Sequence, residues 1–334
     1  MRKFIIGDIH GCYDELMELV KKIGLTDEDL LISLGDIVDR GNKSKEVYEY
    51  FLKRPNSIVL IGNHERKHQN NILSYAQEIV KVQFGNEYEA FLKWLDTLAY
   101  FYETEEAIII HAFFEHDKEL KEQKQEVLSG STSGDRYLEK KYPADKYWAE
   151  FYTGTKPIIY GHHVVGDDPK IVNNTYGIDT GACHGNYLTA IELPGFKIHQ
   201  VKAKKDYWKE EQKKWQIPVL KAKNWNDMPF ADIDKQLQKL AYIEDAEIVN
   251  YLNGISIWKD DLLNSYVLIK AHIDSFTKEL LETHKEHFSL EANKFIFKTS
   301  IFKSRSNNLT IEDLQKTLNT PAKIIAIKKQ LKMD

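Results

Sequence analysis

Five short apolar runs in the first part of the chain each stop at a turn residue and then at side chains that carry chemistry. Lys3–Ile6 leads into Gly7-Asp8-Ile9-His10-Gly11, Leu30–Leu34 into Gly35-Asp36-Ile37-Val38-Asp39-Arg40-Gly41, and Ser57–Ile61 into Gly62-Asn63-His64-Glu65. Ala107–Ile110 ends at His111, and Pro157–Tyr160 at Gly161-His162-His163. Such runs, bounded by turn residues, read as strands buried on both faces. Between them, Tyr13–Ile23, Ser44–Lys53 and Asn86–Leu95 carry apolar residues three or four apart, the spacing of core-facing helices. The alternation predicts an α/β layered domain. Asn186–Glu192 and Phe196–Val201 flank Pro194-Gly195 and predict a hairpin.

Ligands of open α/β sheets collect beyond the carboxyl ends of the strands. The chain therefore delivers Asp, His, Asp, Asn, His and His to one sheet edge. Carboxylate, imidazole and amide oxygen are borderline-to-hard donors that suit Mn, Fe or Zn, and there is no thiolate cluster for a structural zinc. An aspartate that bridges two ions holds them roughly 3.5–4 Å apart, the spacing of two-metal hydrolases. Each fragment alone reads as an ordinary strand-end turn. Their joint occurrence points to a dinuclear centre.

The blocks Gly7–Gly11, Gly35–Gly41 and Gly62–Glu65 resemble the three signature blocks of the calcineurin-like metallophosphoesterases. The resemblance is nearest to the phosphoprotein phosphatase branch, which holds serine/threonine phosphatases, lambda-type phosphatases and bacterial diadenosine tetraphosphatases. His111-Ala112 and the run Ile178-Asp179-Thr180-Gly181, followed by Gly185–Ala190, agree with it. The resemblance spans residues 1–201 and implies a four-layer α/β/β/α sandwich.

It also implies roles. Asp8 and His10 hold a first divalent ion, Asp36 bridges both, and Asn63, His111 and His162 complete the second site. Val164 stands where the wider superfamily often has another metal histidine, as in the phosphatase branch. Manganese is the first expectation for the two ions, with Fe, Zn or Ni as alternatives. A hydroxide bridging the ions attacks phosphorus directly. His64 is the general acid, held by Asp39, and Arg40 clamps phosphate through its planar fork, with Asn63 beside it.

The branch usually supplies a second phosphate-binding arginine, and the one arginine between His111 and Gly161 is Arg136. It is the candidate, against the plainer reading of a solvent-exposed side chain. Arg66, one residue after the third block, is the substitute candidate, against the plainer reading of a side chain that faces water or pairs with an acid. His163 is expected to point away from the ligands, and Cys12 to pack as a small hydrophobe. His184, near the expected cleft, is a candidate substrate contact against the equally plain reading of a loop histidine.

Charge divides the chain. Residues 1–200 hold 23 basic and 32 acidic side chains, a net of −9, and the remainder carries +4 of the total −5. Residues 1–201 are expected to form the catalytic domain, 202–225 a basic linker and 226–334 a mostly helical domain of unassigned role. The segments Asp232–Asn253 and Ile257–His284 are periodic, Thr310 caps a helix, and Lys294–Phe302 reads as a strand. Tyr75–Leu95 reads as one core or lid helix. Lysines of 202–214, interleaved with Tyr207, Trp208 and Trp215, form a strip that acidic residues interrupt, so a nucleic-acid partner is weakly supported.

Two cysteines cannot build a disulfide framework, and no long apolar run or leader is visible, so a cytoplasmic protein with no membrane partner is expected. The leading functional reading is a metal-dependent phosphomonoesterase acting on a phosphoprotein or a small phosphate ester. The alternatives are a dinucleoside polyphosphate hydrolase or nucleic-acid end phosphatase, and an inactive scaffold that binds a partner through its C-terminal domain.

Overall fold

The computed structural model describes all residues except 242, 244 and 334. Ten strands form two five-stranded mixed sheets. The first contains β1 (Lys3–Ile6), β2 (Leu30–Ser33), β3 (Ser57–Val59), and, from far along the chain, β9 (Tyr187–Leu193) and β10 (Lys197–Lys202), in the order β10-β9-β1-β2-β3. The second contains β4 (Phe101–Glu103), β5 (Ile108–Ile110), β6 (Ile158–Tyr160), β7 (Lys170–Val172) and β8 (Thr175–Gly177), in the order β4-β5-β6-β8-β7. β1, β2 and β3 run parallel, as do β5, β6 and β8. Their carboxyl ends can therefore act as one edge.

Side-chain alternation explains the layers. Ile5, Ile32, Ile109, Ile159 and Ile191 form one buried cluster drawn from both sheets. Their neighbours Phe4, Ile6 and Leu31 turn the other way, against Leu16 and Leu19 of helix Tyr13–Ile23 and Val47 and Phe51 of helix Ser44–Lys53. On the second sheet Ile108, Ile110 and Ile158 likewise face a cluster with Trp148 and Tyr152. A strand buried on both faces has no polar side to alternate, which is why these runs read as continuously apolar. The result is two mixed sheets with helices outside, as the resemblance implied.

The chain separates into two compact units, Met1–Lys221 and Ala222–Asp334. Residues 202–225, expected as a linker, instead contain the helix Tyr207–Ala222. The start of that stretch belongs to the first unit: Tyr207 is buried and its hydroxyl donates to Glu15 Oε1 at 2.8 Å, which also accepts from the Lys204 N–H. The interleaved aromatics are engaged there too, Trp208 against Tyr75 and Trp215 bonded to Glu211. Tyr75–Leu95 is two helices, Tyr75–Phe84 and Tyr88–Leu95, broken at Gly85 with φ 52°.

The second unit is helical throughout its described elements: Phe230–Lys239, Ala246–Asn264, Tyr266–Thr283, Phe288–Ala292, Lys298–Arg305, Ile311–Thr317 and Pro321–Gln330. The periodic segment Asp232–Asn253 spans two of these helices, and residues 242 and 244 within it lie outside the described residues. Thr310 caps its helix as expected, exchanging hydrogen bonds with Asp313 in a capping box. Lys294–Phe302 is not a strand. Phe295 and Phe297 pack edge-on against Phe276 of helix Tyr266–Thr283, at 4.8 and 5.8 Å between centroids, and the chain then enters helix Lys298–Arg305. With no strand beside it among the described residues, the aromatic run satisfies its backbone through turns and through the helix that follows.

Candidate metal centre

The loops after β1, β2, β3, β5 and β6 converge, and Asp36 lies at their centre. Its Oδ2 is 3.6 Å from His10 Nε2 and 3.9 Å from His64 Nε2, while its Oδ1 is 3.6 Å from His111 Nε2. Two groups of donor atoms thus share one carboxylate: His10, Asp36 and His64, and Asp36, His111 and His162. Asn63 Oδ1 joins the second group, 3.2 Å from His111 Nε2 and 3.0 Å from His162 Nδ1.

Backbone geometry is unusual at these positions. His10, Asp36, Asp39, Arg40 and His162 all adopt positive φ, a region that non-glycine residues rarely enter. Strain of this kind persists where the surroundings over-determine it, and it gathers at functional sites. Space is equally tight: a Cβ on Gly62 would collide with the Asp36 carboxylate, and one on Gly161 with that of Asp8.

The imidazoles are pre-oriented. His10 Nδ1 donates to Val38 O at 3.0 Å and His111 Nδ1 to Leu34 O at 3.1 Å, so each turns its Nε2 lone pair toward Asp36. Burial pushes His10, His111 and His162 toward their neutral, ligating forms. Burial raises the Asp36 carboxyl, but His111, His64 and His10 outweigh it and hold Asp36 below the usual carboxylate range.

Asp8 sits apart from both donor groups. The His162 N–H donates to its two oxygens at 3.2 Å each, and burial together with neighbouring Asp179 raises its carboxyl well above the ordinary range. Asp179 itself is lifted to about 6 by burial. The Arg40 guanidinium lies across the first group, Nη1 3.2 Å from His10 Nε2 and Nη2 3.1 Å from His64 Nε2. The donor set fits divalent cations on three grounds. The buried carboxylates Asp8, Asp36 and Asp179 gather around a single guanidinium, the oriented imidazole lone pairs face one carboxylate, and buried His162 Nε2 makes no hydrogen bond.

A second network lies behind the first. Asp39, fully buried, accepts from His64 Nδ1 at 2.6 Å through Oδ2 and from His68 Nε2 at 3.0 Å through Oδ1, and Gln77 also donates to it. Glu65 accepts the N–H groups of Asp36, Ile37 and Gly62 at 2.7, 2.9 and 3.0 Å. Glu65 and Asp179 lie within the sequence motifs but have no role assigned by them, and no motif contains His68 or Gln77. For Glu65 the available signal was an acid three residues after Gly62 at a helix start.

The other candidates fall as follows. Arg136 lines the same groove as Asp36, Arg40, Asn63 and His162. Arg66 pairs with Glu126 at 3.0 Å, as in its plainer reading, yet it also lines that groove. His163 does not turn away from the ligands: its ring lies 4.3 Å from that of His162 and 5.5 Å from that of Phe113, and it lines the same groove. Cys12 is fully buried among apolar side chains, and His184 is exposed.

Residues 1–180, more than half of the chain, match the calcineurin-like phosphoesterase family. The chain belongs to the calcineurin-like phosphoesterases. It is therefore a phosphoric ester hydrolase of a family that works with divalent metal ions. Among its relatives, the bis(5′-nucleosyl)-tetraphosphatase PrpE [asymmetrical] of Bacillus cereus strain Q1 is 30% identical over 238 residues, covering 60% of this chain and 94% of that protein. The protein of the same name from Bacillus subtilis strain 168 is 30% identical over 234 residues, covering 61% and 95%. A crystal structure provisionally assigned as a diadenosine tetraphosphatase superposes with a TM-score of 0.50 at 21% identity, over 60% of this chain and 93% of that one, a likeness of fold. Among the described residues no helix is long and apolar enough to cross a membrane.

Proposed function

We propose that the chain hydrolyses dinucleoside polyphosphates, using two divalent ions held by Asp8, His10 and Asp36 on one side and Asp36, Asn63, His111 and His162 on the other. The observation that carries this reading is the groove that leaves the donor cluster. It has a volume of about 910 Å³, and five cations line it: Arg40, Arg66, Lys67, Arg136 and Lys140. One phosphomonoester carries at most two negative charges, whereas a polyphosphate chain offers charge along its length. The two Bacillus relatives are named for this activity, which supports the choice over a phosphoprotein substrate.

Bound ions of manganese type supply Lewis acidity and charge neutralisation to the phosphoryl group and acidify water. The chain's own residues do the rest. Arg40 turns its planar fork from the imidazoles onto phosphoryl oxygens. His64 keeps Nδ1–H on Asp39 and, as the general acid, delivers a proton from Nε2 to the leaving oxygen. Arg136, Lys140 and Lys67 hold the phosphates beyond the bond that breaks. One water is consumed for each anhydride cleaved.

The test is product analysis. Protein loaded with Mn²⁺ should convert diadenosine tetraphosphate to ATP and AMP, at a kcat/KM well above that for a phosphopeptide. Cleavage of the phosphopeptide alone would return the site to the phosphomonoesterase reading.

A further inference from the structure

Beside the phosphate groove lies a second cavity, of about 720 Å³, that shares Asp135 and His163 with it. Its character is different. Three rings form one wall: Phe113 and His163 with centroids 5.5 Å apart, Tyr147 and His163 at 6.1 Å, and Phe113 and Tyr147 at 6.1 Å. His163 is exposed and Tyr147 half-buried, so ring surface is open to a ligand.

The helix Thr132–Leu138 and the turn that follows it separate the two spaces and divide their charges between them. Arg136 and Lys140, four residues apart, face the groove, whereas Glu139 faces the aromatic cavity and Asp135 borders both. Like charges at that spacing repel. Neither acid makes an ion pair or a side-chain hydrogen bond among the described residues, and Asp135 is half-buried. Burial raises the Asp135 carboxyl; His163 works against this and Glu139 adds to it. Lys146 also lines the aromatic cavity but is paired with Glu150. A segment that offers cations to one cavity and carboxylate acceptors to its aromatic neighbour matches a ligand with a phosphate chain at one end and a flat donor-bearing ring at the other.

We propose that this cavity is a nucleobase subsite, in which a purine base, guanine ahead of adenine, lies against the Phe113–Tyr147–His163 wall and donates N–H groups to Asp135 and Glu139. The inference rests on the polyphosphate reading of the adjoining groove. Carboxylates only accept, so the base edge must donate. Guanine carries N–H donors at two adjacent positions on its pairing edge, and adenine carries an amino group beside an acceptor. Rings supply stacking that any base can use.

The experiment compares Mn²⁺-loaded full-length wild type with Glu139→Ala, Asp135→Asn and Tyr147→Leu on three substrates: diguanosine tetraphosphate, diadenosine tetraphosphate and inorganic tripolyphosphate, which has no base. In wild type the guanosine compound should have the higher kcat/KM of the two dinucleotides. In Glu139→Ala and Tyr147→Leu the ratio of diguanosine tetraphosphate to tripolyphosphate efficiency should fall by roughly tenfold, mainly through KM. Asp135→Asn and Glu139→Ala should also narrow the guanine preference. Unchanged ratios in a wild type that does cleave the tetraphosphates would overturn the subsite and leave the polyphosphate reading standing. A wild type that cleaves neither tetraphosphate would overturn both. Glu139 is exposed, so its variant carries the test even if Tyr147→Leu does not fold.

Discussion

Asp39 Oδ2 lies 2.6 Å from His64 Nδ1, with both side chains buried. Burial raises the Asp39 carboxyl, but His68 and His64 more than offset this and hold it well below the usual range. Asp39 therefore stays an anion behind His64, fixing the ring so that Nε2 points away toward Asp36 and Arg40. Asp39→Asn should lower kcat on substrates with poor leaving groups by on the order of 10²-fold, the scale of general-acid catalysis. p-Nitrophenyl phosphate, whose leaving group needs little protonation, should lose much less. A steady-state comparison of alkyl and nitrophenyl esters checks this, and equal losses would remove His64 from the acid role.

Asp36 presents one oxygen to each donor group. Asp36→Asn should abolish turnover and reduce bound metal below two equivalents, read by elemental analysis after dialysis against Mn²⁺. In the wild type, Mn²⁺ at about 100 times its Kd should stabilise the fold by about 2.7 kcal/mol, and a chelator should reverse the accompanying rise in Tm. A melting temperature indifferent to metal would contradict the assigned ligands.

Glu65 is a structural support rather than a ligand. It takes three backbone N–H groups from two of the metal-bearing loops, and burial, with Asp36's charge adding, pushes its carboxyl up to about 8. Glu65→Ala would strand those donors in the interior and should cost on the order of 3 kcal/mol or more. Glu65→Gln, which keeps an acceptor oxygen, should cost less. Urea denaturation ranks the two, and equal or reversed losses would deny Glu65 its role as hydrogen-bond acceptor for the two loops.

At the other end of β1, Arg2 grips Asp29 through Nε and Nη2 at 3.1 and 2.7 Å. The bond to Arg2 lowers the Asp29 carboxyl to about 2. A free aspartate titrates near pH 3.9, so the unfolded chain takes up the proton first. The stabilisation is complete above pH ~4 and is lost as pH falls toward 2. The urea midpoint gap between wild type and Asp29→Asn should therefore be constant from pH 6 to 5 and narrow steadily below 4. A gap that widens on acidification would rule the pair out.

Several elements were readable residue by residue. The strand Lys3–Ile6 and the helices Tyr13–Ile23 and Ser44–Lys53 occupy the stretches that apolar spacing marks out. That spacing is a local property, and burial on one stripe or on both faces leaves its trace in consecutive residues. Lys294–Phe302 shows the limit. Its alternating aromatics fit a strand as well as a helix, and Phe276, distant in sequence, decides between them.

The same divide runs through the site. Glycines and ionisable residues after consecutive apolar runs announced a metal centre, because parallel neighbouring strands deliver such loops to one edge, and the resemblance of those blocks to a known family added the phosphoesterase chemistry. The resemblance implied the pairing of Asp39 with His64, but nothing local announced that His68 and Gln77 would also hold Asp39, or that Glu65 would stitch two loops together. Nor could local pattern set Arg136 in the groove and Glu139 in the cavity beside it. The sequence by itself determined the layers, the strand ends and the ligand types, since those follow from periodicity and donor chemistry. Only the tertiary structure decided which buried charges share a proton, which loops lean on one carboxylate and what lies next to the phosphate path, because each depends on distances between residues that the chain keeps far apart.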